Sequence, residues 1–277
     1  MIYATSDLHY GMRPDGDAAT RRLAAHLDGA RSSDILLLAG DLGVSDETLA
    51  ECLTLFRNFP GRKLAVPGNH DVWIPPDAPI DSRERRARLP QLFRAAGFHP
   101  LEEGPITIDG VGFAGCMGWY DYSFREEALG YSLACYETKC EPGSTEPVWG
   151  DAHHVRWPWS DIEVAERDGV RLDEHLRQLS GARDVVVVTH HLPTSQLLFR
   201  PRVLVPRFWR FANAFLGSER FAQVIGQHPN VRLAICGHIH EARNATIGAQ
   251  RFCSIGSDYA RKALLMIDGE HTTRRYF

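Results

Sequence analysis

Gly68, Asn69, His70 and Asp71 are four consecutive residues that place three chemically useful side chains directly after a short apolar run, residues 64–66. An amide oxygen can bind a metal ion, an imidazole can transfer a proton, and a carboxylate can hold that imidazole in orientation. Taken alone, the tetrad is equally compatible with a turn in which Asn and Asp cap a helix. Its meaning therefore depends on whether other strands bring complementary side chains to it.

Four further apolar runs, residues 2–6, 35–39, 185–188 and 231–236, are typical of buried strands and also end in polar side chains. Each polar residue alone could be a simple turn former. Because sites in open α/β sheets form outside the carboxyl ends of the strands, we expect the five groups to converge. Oxygen and imidazole ligands without thiolate suit manganese, iron or zinc. The residues that follow the five runs are Asp7 and His9, Asp41, Asn69 and His70, His190, and His238 and His240.

Composition and charge narrow the partner classes. The chain has 277 residues, 44% of them hydrophobic, which is enough for one large α/β domain or two small ones. A formal net charge of −4 and a pI near 6.3 give no global attraction to nucleic acid or to an anionic membrane. Nucleic acid is therefore not favoured as a partner, and the sequence leaves the oligomeric state open.

Location and redox state follow from similar observations. A strand-like run begins at residue 2 and no stretch reaches transmembrane length, so we expect no signal peptide, no membrane span and a cytoplasmic location. The six cysteines are scattered without paired CxxC spacing, which predicts reduced thiols. Cys135 and Cys140 leave a disulfide or a metal site as an alternative.

The remaining pattern favours one domain over residues 1–277. Asp109 and Gly110 separate two alternating apolar runs, which predicts a β-hairpin. Residues 116–160 form an irregular, aromatic-rich insertion of the kind that often serves as an active-site lid or binding loop. A helix is predicted over about residues 160–179, with a possible break at Gly169. An arginine- and aromatic-rich loop follows at about residues 199–215.

The order of these motifs resembles that of the calcineurin-like metallophosphoesterases. The matching blocks span residues 7–240, most of the chain. The resemblance implies an α/β fold, a four-layer αββα sandwich of two mixed sheets flanked by helices. It also implies a centre of two divalent or mixed-valence metal ions, with manganese, iron and zinc as candidates. The blocks are Asp7-Leu8-His9, Gly40-Asp41, Gly68-Asn69-His70-Asp71, His190, and Gly237-His238-Ile239-His240.

Transferred position by position, the resemblance implies two groups of ligands that share one carboxylate. A hydroxide bridging the two ions would attack the phosphate ester. We expect His70 to stabilise the transition state or to donate a proton to the leaving oxygen, with Asp71 holding its imidazole. One ion would be held by Asp7, His9, Asp41 and His240, and the other by Asp41, Asn69, His190 and His238.

Substrate contacts are harder to predict. Leu42 follows Asp41 and Val72 follows Asp71, where the protein phosphatases of this family usually carry nearby arginines. That departure argues against a phosphoprotein substrate and leaves bacterial phosphodiesterase-type members as the best match. The aromatic candidates could contact the substrate, by stacking on a base or walling the cleft, or they could pack the insertion against the body. The arginines could steer a phosphate or contact another subunit. The candidate substrate-binding residues are His191, Trp119, Tyr120, Arg200 and Arg202.

Three classes of function are compatible with these residues. The favoured one is a dinuclear-metal hydrolase, a phosphodiesterase acting on a small-molecule or nucleotide ester, with a phosphomonoesterase as the alternative. A nuclease would require a basic track that the composition does not provide globally. A non-catalytic protein-binding scaffold of the same fold is disfavoured because every expected ligand is present.

Overall fold

The computed structural model describes residues 1–198 and 206–277. Its strands are β1 (Ile2–Thr5), β2 (Ile35–Ala39), β3 (Arg62–Val66), β4 (His99–Pro100), β5 (Ile106–Ile108), β6 (Val111–Cys116), β7 (Asp184–Thr189), β8 (Val231–Cys236), β9 (Arg243–Ile247), β10 (Gln250–Ser254), β11 (Ala263–Asp268) and β12 (His271–Tyr276). Its α-helices are α1 (Pro14–Leu27), α2 (Asp46–Leu55), α3 (Ser82–Ala95), α4 (Leu133–Thr138), α5 (Asp151–His154), α6 (Asp161–Gln178), α7 (Arg207–Ala212) and α8 (Glu219–Gly226).

The strands form two mixed sheets of six strands each. The first has the order β12-β11-β1-β2-β3-β4, in which β1 to β4 are parallel and β11 and β12 are antiparallel to their neighbours. The second has the order β5-β6-β7-β8-β10-β9, in which β6, β7, β8 and β10 are parallel. Each sheet therefore has a parallel centre whose carboxyl ends lie at one edge.

The alternation of side chains along β2 explains why the two sheets stack. Ile35, Leu37 and Ala39 pack in the hydrophobic cluster shared with β7 and β8 of the other sheet. Leu36 and Leu38 point the other way, into a cluster with the buried faces of α1 and α2. Because successive side chains of a strand point to opposite faces, a continuous apolar run such as this one must be covered on both sides.

The same alternation on β7 completes the architecture. Val186 and Val188 face the first sheet. Val185 and Val187 pack against buried residues of α6 and α8. The layers are therefore helices, sheet, sheet and helices, which confirms the predicted αββα sandwich.

Local signals set the ends of the helices. Ser45 caps α2 by accepting a hydrogen bond from a backbone N–H in the first turn. Ser160 and Glu163 form a capping box at the start of α6. The possible break at Gly169 does not occur, because α6 continues to Gln178. A Cβ at Gly169 would lie 2.7 Å from the side chain of Arg220, so the glycine allows α6 to pack closely against α8.

The insertion at residues 116–160 contains the short helices α4 and α5, and is thus more regular than the sequence pattern suggested. Its aromatic rings are largely buried: Trp119, Tyr120, Tyr122 and Tyr136 are all at most 1% exposed. Burial of these large rings gives the segment a core of its own that fixes its path. In the part of the chain that the structure describes, none of the helices combines the length and apolar character needed to cross a membrane.

Candidate metal centre

The residues predicted as metal ligands meet where the two sheets bring their carboxyl ends together. Those contributed by the first sheet follow β1, β2 and β3, and those contributed by the second follow β7 and β8. The crevice thus lies between two sheets rather than along one. In chain order, the first sheet supplies Asp7, His9, Asp41 and Asn69, and the second supplies His190, His238 and His240.

One group of ligand atoms surrounds His9. Its Nε2 atom lies 3.2 Å from Nε2 of His240 and 3.7 Å from Oδ2 of Asp41. Nε2 of His240 in turn lies 3.5 Å from Oδ1 of Asp7. Two imidazoles and two carboxylates therefore direct their ligand atoms at one small volume.

The second group surrounds His190. Its Nε2 atom lies 3.3 Å from Oδ2 of Asp41, 3.1 Å from Oδ1 of Asn69 and 3.2 Å from Nδ1 of His238. Nδ1 of His190 lies 2.9 Å from the carbonyl oxygen of Ala39 and donates its proton there, which directs the Nε2 lone pair at the centre. Oδ2 of Asp41 belongs to both groups, so this atom can bridge two ions.

These spacings fit two metal ions. Ligand atoms bound at about 2.0–2.2 Å to one ion lie about 2.8–3.6 Å from their neighbours, the lower values for octahedral and the higher for tetrahedral geometry. The contacts in the two groups span 3.1–3.7 Å. Lone pairs of acceptor atoms held this close repel one another unless a cation or a proton lies between them. Three trios within the site satisfy the spacing for a metal site: Asp7, His9 and His240; His9, Asp41 and His70; and Asp41, His190 and His238.

The pKa values of His9, His238 and Asp41 favour the forms that bind a metal ion, whereas that of His190 does not. Burial lowers the pKa of His9 to about 3, and burial together with nearby His190 lowers that of His238 to about 3. Burial opposes ionisation of Asp41, but His190 outweighs it and holds the pKa of Asp41 well below its usual range. Burial also opposes protonation of His190, but Asp41 and Asp7 raise its pKa to about 9. Binding of a metal ion at neutral pH would therefore displace a proton from His190.

The backbone of the site is held in an unusual conformation. Five of the predicted ligands have positive φ angles although they are not glycine. Each such residue costs about 1–3 kcal/mol in general, although Asp and His tolerate this region better than most. Strain of this kind, concentrated in one crevice, supports a functional origin for the arrangement. The residues and angles are Asp7 (52°), His9 (42°), Asp41 (56°), His238 (73°) and His240 (55°).

A comparison with protein families decides the identity of this arrangement. The family model for calcineurin-like phosphoesterases matches residues 1–242, most of the chain. The chain belongs to this family. As a metallophosphoesterase, it is a hydrolase that acts on phosphate ester bonds, and its two groups of Asp and His residues are candidates for the metal centre on which the family typically depends.

Known relatives and solved structures agree with the family. The metallophosphoesterase is 25% identical over 279 aligned positions to the acyl-carrier-protein phosphodiesterase PptH of Mycobacterium tuberculosis. The alignment covers 94% of this chain and 78% of that protein. The crystal structure of the phosphopantetheinyl hydrolase PptH from the same organism has a TM-score of 0.74 at 22% identity, covering 92% of this chain and 89% of that one. A dimetal phosphatase from Danio rerio has a TM-score of 0.60 at 12% identity, covering 99% and 95%. These structures share the fold.

Asp71 does not hold the imidazole of His70, contrary to the sequence-based expectation. Its carboxylate accepts hydrogen bonds from the backbone N–H groups of Asp41 (2.9 Å), Leu42 (2.9 Å) and Gly68 (2.8 Å). Nδ1 of His70 has no hydrogen-bond partner among the described residues. Asp71 therefore ties together the loops after β2 and β3, and acts on Asp41 rather than on His70.

Three predicted substrate contacts are buried in the metallophosphoesterase. His191, Trp119 and Tyr120 are all 0% exposed. The ring of His191 lies 4.2 Å from that of His238, with Trp119 and Tyr120 on its other sides at 5.0 and 5.7 Å. Of the two alternatives for the aromatic pair, packing of the insertion is correct, because rings without exposed surface cannot contact a substrate.

The arginine-rich segment is described only from Pro206 onwards, so the predicted contacts Arg200 and Arg202 lie outside the described residues. Nε of Arg207 donates a 2.5 Å hydrogen bond to the hydroxyl of Tyr131. Nε of Arg210 donates a 2.8 Å hydrogen bond to Glu126. These two arginines bind the insertion and do not line the cleft beside the metal centre.

Sequence reasoning missed the aromatic wall of this cleft. The cleft has a volume of about 530 Å³ and opens directly onto Asp41, Asn69, His70, His238 and His240. The rest of its lining is mainly apolar and aromatic, and the described lining residues include no lysine or arginine. The abundance of aromatic residues near the motifs was visible in the sequence, but which rings face the cleft was not. The wall contains Trp73, Val148, Trp149, Phe208, Trp209, Leu216, Ile239 and Tyr259.

Replacing Gly68 by alanine should displace Asp41 and weaken metal binding. A Cβ at Gly68 would lie 2.1 Å from Oδ1 of Asp41 and 2.5 Å from its backbone nitrogen, both far inside van der Waals contact. Relief of such a clash typically costs about 1–3 kcal/mol of stability. We expect less than two metal ions per chain by elemental analysis and a lower unfolding temperature. Gly104→Ala is the control, because a Cβ there meets nothing within 4 Å; equal metal content in both variants would contradict the prediction.

Proposed function

We propose that this metallophosphoesterase is a two-metal phosphodiesterase whose substrate carries an uncharged organic arm on its phosphate, of the phosphopantetheinyl type. The cleft carries the proposal, because it joins a site for a phosphate directly to an apolar wall. Its volume of about 530 Å³ lies within the range of small-molecule sites. The name of PptH, an acyl-carrier-protein phosphodiesterase, supports the same class of substrate.

The two ligand groups would hold the ions. The ions would supply positive charge that attracts the phosphoryl group and would activate a water molecule. Manganese, iron and zinc are the candidates, because the ligands are oxygen and imidazole atoms. The first ion would be bound by Asp7, His9, Asp41 and His240, and the second by Asp41, Asn69, His190 and His238.

His70 is the proposed catalytic residue. It lines the cleft, and its Nε2 atom lies 4.0 Å from Oδ2 of Asp41, beside the bridging atom. Its ring stacks on Trp73 with centroids 3.7 Å apart and an interplanar angle of 24°, which limits its orientations. From this position, its imidazole can donate a hydrogen bond or a proton to the oxygen that leaves phosphorus.

The aromatic wall would bind the organic arm. Trp209 and Phe208 line the cleft and are 48% and 40% exposed, so both rings are available to a ligand. The wall offers apolar contact beside the metal centre, and Glu241 lines the cleft as an acidic residue in addition to Asp41. Such a lining favours an arm that is neutral beyond its phosphate, as the phosphopantetheinyl group is, over one with additional phosphates.

Parallel assays test the substrate class. With manganese added, we expect hydrolysis of bis(p-nitrophenyl) phosphate and of an acyl carrier protein that bears phosphopantetheine, with much slower hydrolysis of p-nitrophenyl phosphate and of single-stranded DNA. A dominant monoesterase or nuclease activity would contradict the phosphodiesterase assignment. If the protein stayed inactive and free of metal despite added manganese, the proposal that it is a metal-dependent enzyme would be contradicted.

Removing a ring from the wall tests the binding of the arm. Trp209→Ala should raise the KM for the phosphopantetheinyl diester about two- to thirteenfold, since an aromatic contact contributes about 0.5–1.5 kcal/mol. The KM for bis(p-nitrophenyl) phosphate should change less, because this small ester reaches less of the wall. Tyr276→Ala is the matched control, an exposed aromatic on β12 that does not line the cleft. If both variants changed the KM equally, the aromatic wall would not contribute to substrate binding.

A further inference from the structure

Asp151 is a buried carboxylate of the insertion that accepts four hydrogen bonds beside the metal centre. It is 1% exposed and is the first residue of α5. Oδ1 accepts from Nδ2 of Asn69 at 2.9 Å and from Nε1 of Trp73 at 2.7 Å. Oδ2 accepts from Nε1 of Trp149 at 2.9 Å and from the hydroxyl of Tyr120 at 3.2 Å. All four donors come from side chains, and two of them belong to the loop after β3.

The contact with Asn69 decides which end of its amide faces the metal centre. An ionised carboxylate only accepts hydrogen bonds, so Nδ2 of Asn69 must turn towards Asp151. The amide oxygen is then directed at the second ligand group, where it lies 3.1 Å from Nε2 of His190. A flipped amide would present N–H groups to a cation, which an oxygen-seeking metal ion does not accept as ligands.

The contact with Trp73 extends the same control to His70. The indole of Trp73 lies between the ring of His70, at 3.7 Å, and that of His154, at 4.4 Å. The hydrogen bond from Nε1 to Asp151 fixes the rotation of the indole in its own plane. One oxygen atom of Asp151 therefore holds both the amide of Asn69 and the ring that supports His70.

We propose that Asp151 is a positioning residue through which the insertion at residues 116–160 orients the ligand Asn69 and the stack of His70 on Trp73. The inference rests on the proposed assignment of Asn69 as a metal ligand. It gives the insertion a specific role at the centre, in addition to forming one wall of the cleft.

The first test is the affinity of the two sites for manganese in Asp151→Ala. This variant removes both acceptor oxygens, so neither Asn69 nor Trp73 keeps its hydrogen bond to residue 151. We expect the dissociation constant of the second site to rise about 10- to 100-fold, the range seen when an outer partner of a ligand is lost, while the first site changes much less. Competition with a chelator measures both constants without reference to activity. Unchanged constants would overturn the proposal.

Asp161→Ala is the matched control. Asp161 also accepts side-chain hydrogen bonds within the insertion region, from Trp119 at 2.7 Å, from Lys139 at 2.7 Å and from Tyr122, but it contacts none of the predicted ligands. If Asp151 acted only by stabilising the insertion, both variants would lower the unfolding temperature and weaken metal binding together. We expect weaker metal binding in Asp151→Ala alone.

A second variant separates positioning from charge and leaves Asp151 in place. Asn69→Asp adds a negative charge beside the cations, which alone would strengthen metal binding. It also removes the amide donor and sets two carboxylates against each other, so we expect weaker binding. Stronger binding would overturn the proposal. Should wild-type protein bind no metal at all, the proposed function fails; should it bind two ions with constants that neither variant changes, the role of Asp151 alone fails.

Discussion

Replacing Asp41 by asparagine is expected to remove both metal ions and to lower kcat/KM for a phosphodiester by more than about 100-fold. Loss of a residue that only hydrogen-bonds to a metal ligand costs up to about 100-fold, and Asp41 is itself a proposed ligand. Oδ2 of Asp41 is the one atom that belongs to both ligand groups, 3.7 Å from Nε2 of His9 and 3.3 Å from Nε2 of His190. The variant withdraws a negative charge that two cations would share. Elemental analysis of the purified protein and steady-state kinetics measure the two losses.

The fold should survive this change. Oδ1 of Asp41 accepts a hydrogen bond from the backbone nitrogen of His70 at 2.9 Å, and the asparagine oxygen can accept the same bond. Thermal unfolding should therefore show a folded, cooperative protein. His240→Ala is the comparison, because His240 belongs to one ligand group only and its loss should cost one ion. An Asp41→Asn variant that retains two ions would contradict the bridging role.

The fold and the convergence of the proposed ligands were predictable because both depend on short, strong patterns. The run Ile35–Ala39 is apolar at every position, and such a strand must be covered on both faces. Polar residues that follow several such runs meet at one edge when the strands are parallel. The sequence did not reveal that the edge belongs to two sheets, but the αββα arrangement implied by the family resemblance supplied it.

The role of Asp71 could not be predicted from its place beside His70. Both residues lie in the single 3₁₀ turn His70–Val72. With about three residues per turn, neighbouring side chains of such a turn point about 120° apart. His70 therefore faces the cleft, while Asp71 faces the backbone of the loop after β2. Adjacency in sequence suggested contact, and the geometry of the turn separates the two groups.

Asp151 was missed because its role depends on contacts far apart in sequence. Its donors Asn69 and Trp73 are 82 and 78 residues away, and Tyr120 is 31 residues away. The insertion has no helical or strand period from which such contacts could be inferred. The same limit applies to its aromatic rings, since Trp119 is buried in the core and Trp149 lines the cleft.

Replacing His70 by alanine should lower kcat about 100- to 10,000-fold while both metal ions remain bound, as expected for the loss of a general acid. His70 lines the cleft but is not a member of either four-residue ligand group, so metal content should not fall. His153→Ala is the control, since this exposed histidine of α5 does not line the cleft. Loss of metal in His70→Ala would instead assign His70 as a ligand, as its place in a trio with His9 and Asp41 would allow.

The leaving group of the substrate separates proton donation from charge stabilisation by His70. An alkyl diester needs a proton on its leaving oxygen, whereas p-nitrophenolate departs readily as an anion. If His70 donates that proton, His70→Ala should lose far more activity towards the alkyl diester than towards bis(p-nitrophenyl) phosphate. Equal losses would show that the imidazole stabilises charge on the phosphoryl group instead, because that interaction is independent of the departing oxygen. Undiminished turnover of both esters would remove His70 from the mechanism and leave the chemistry to the metal centre alone.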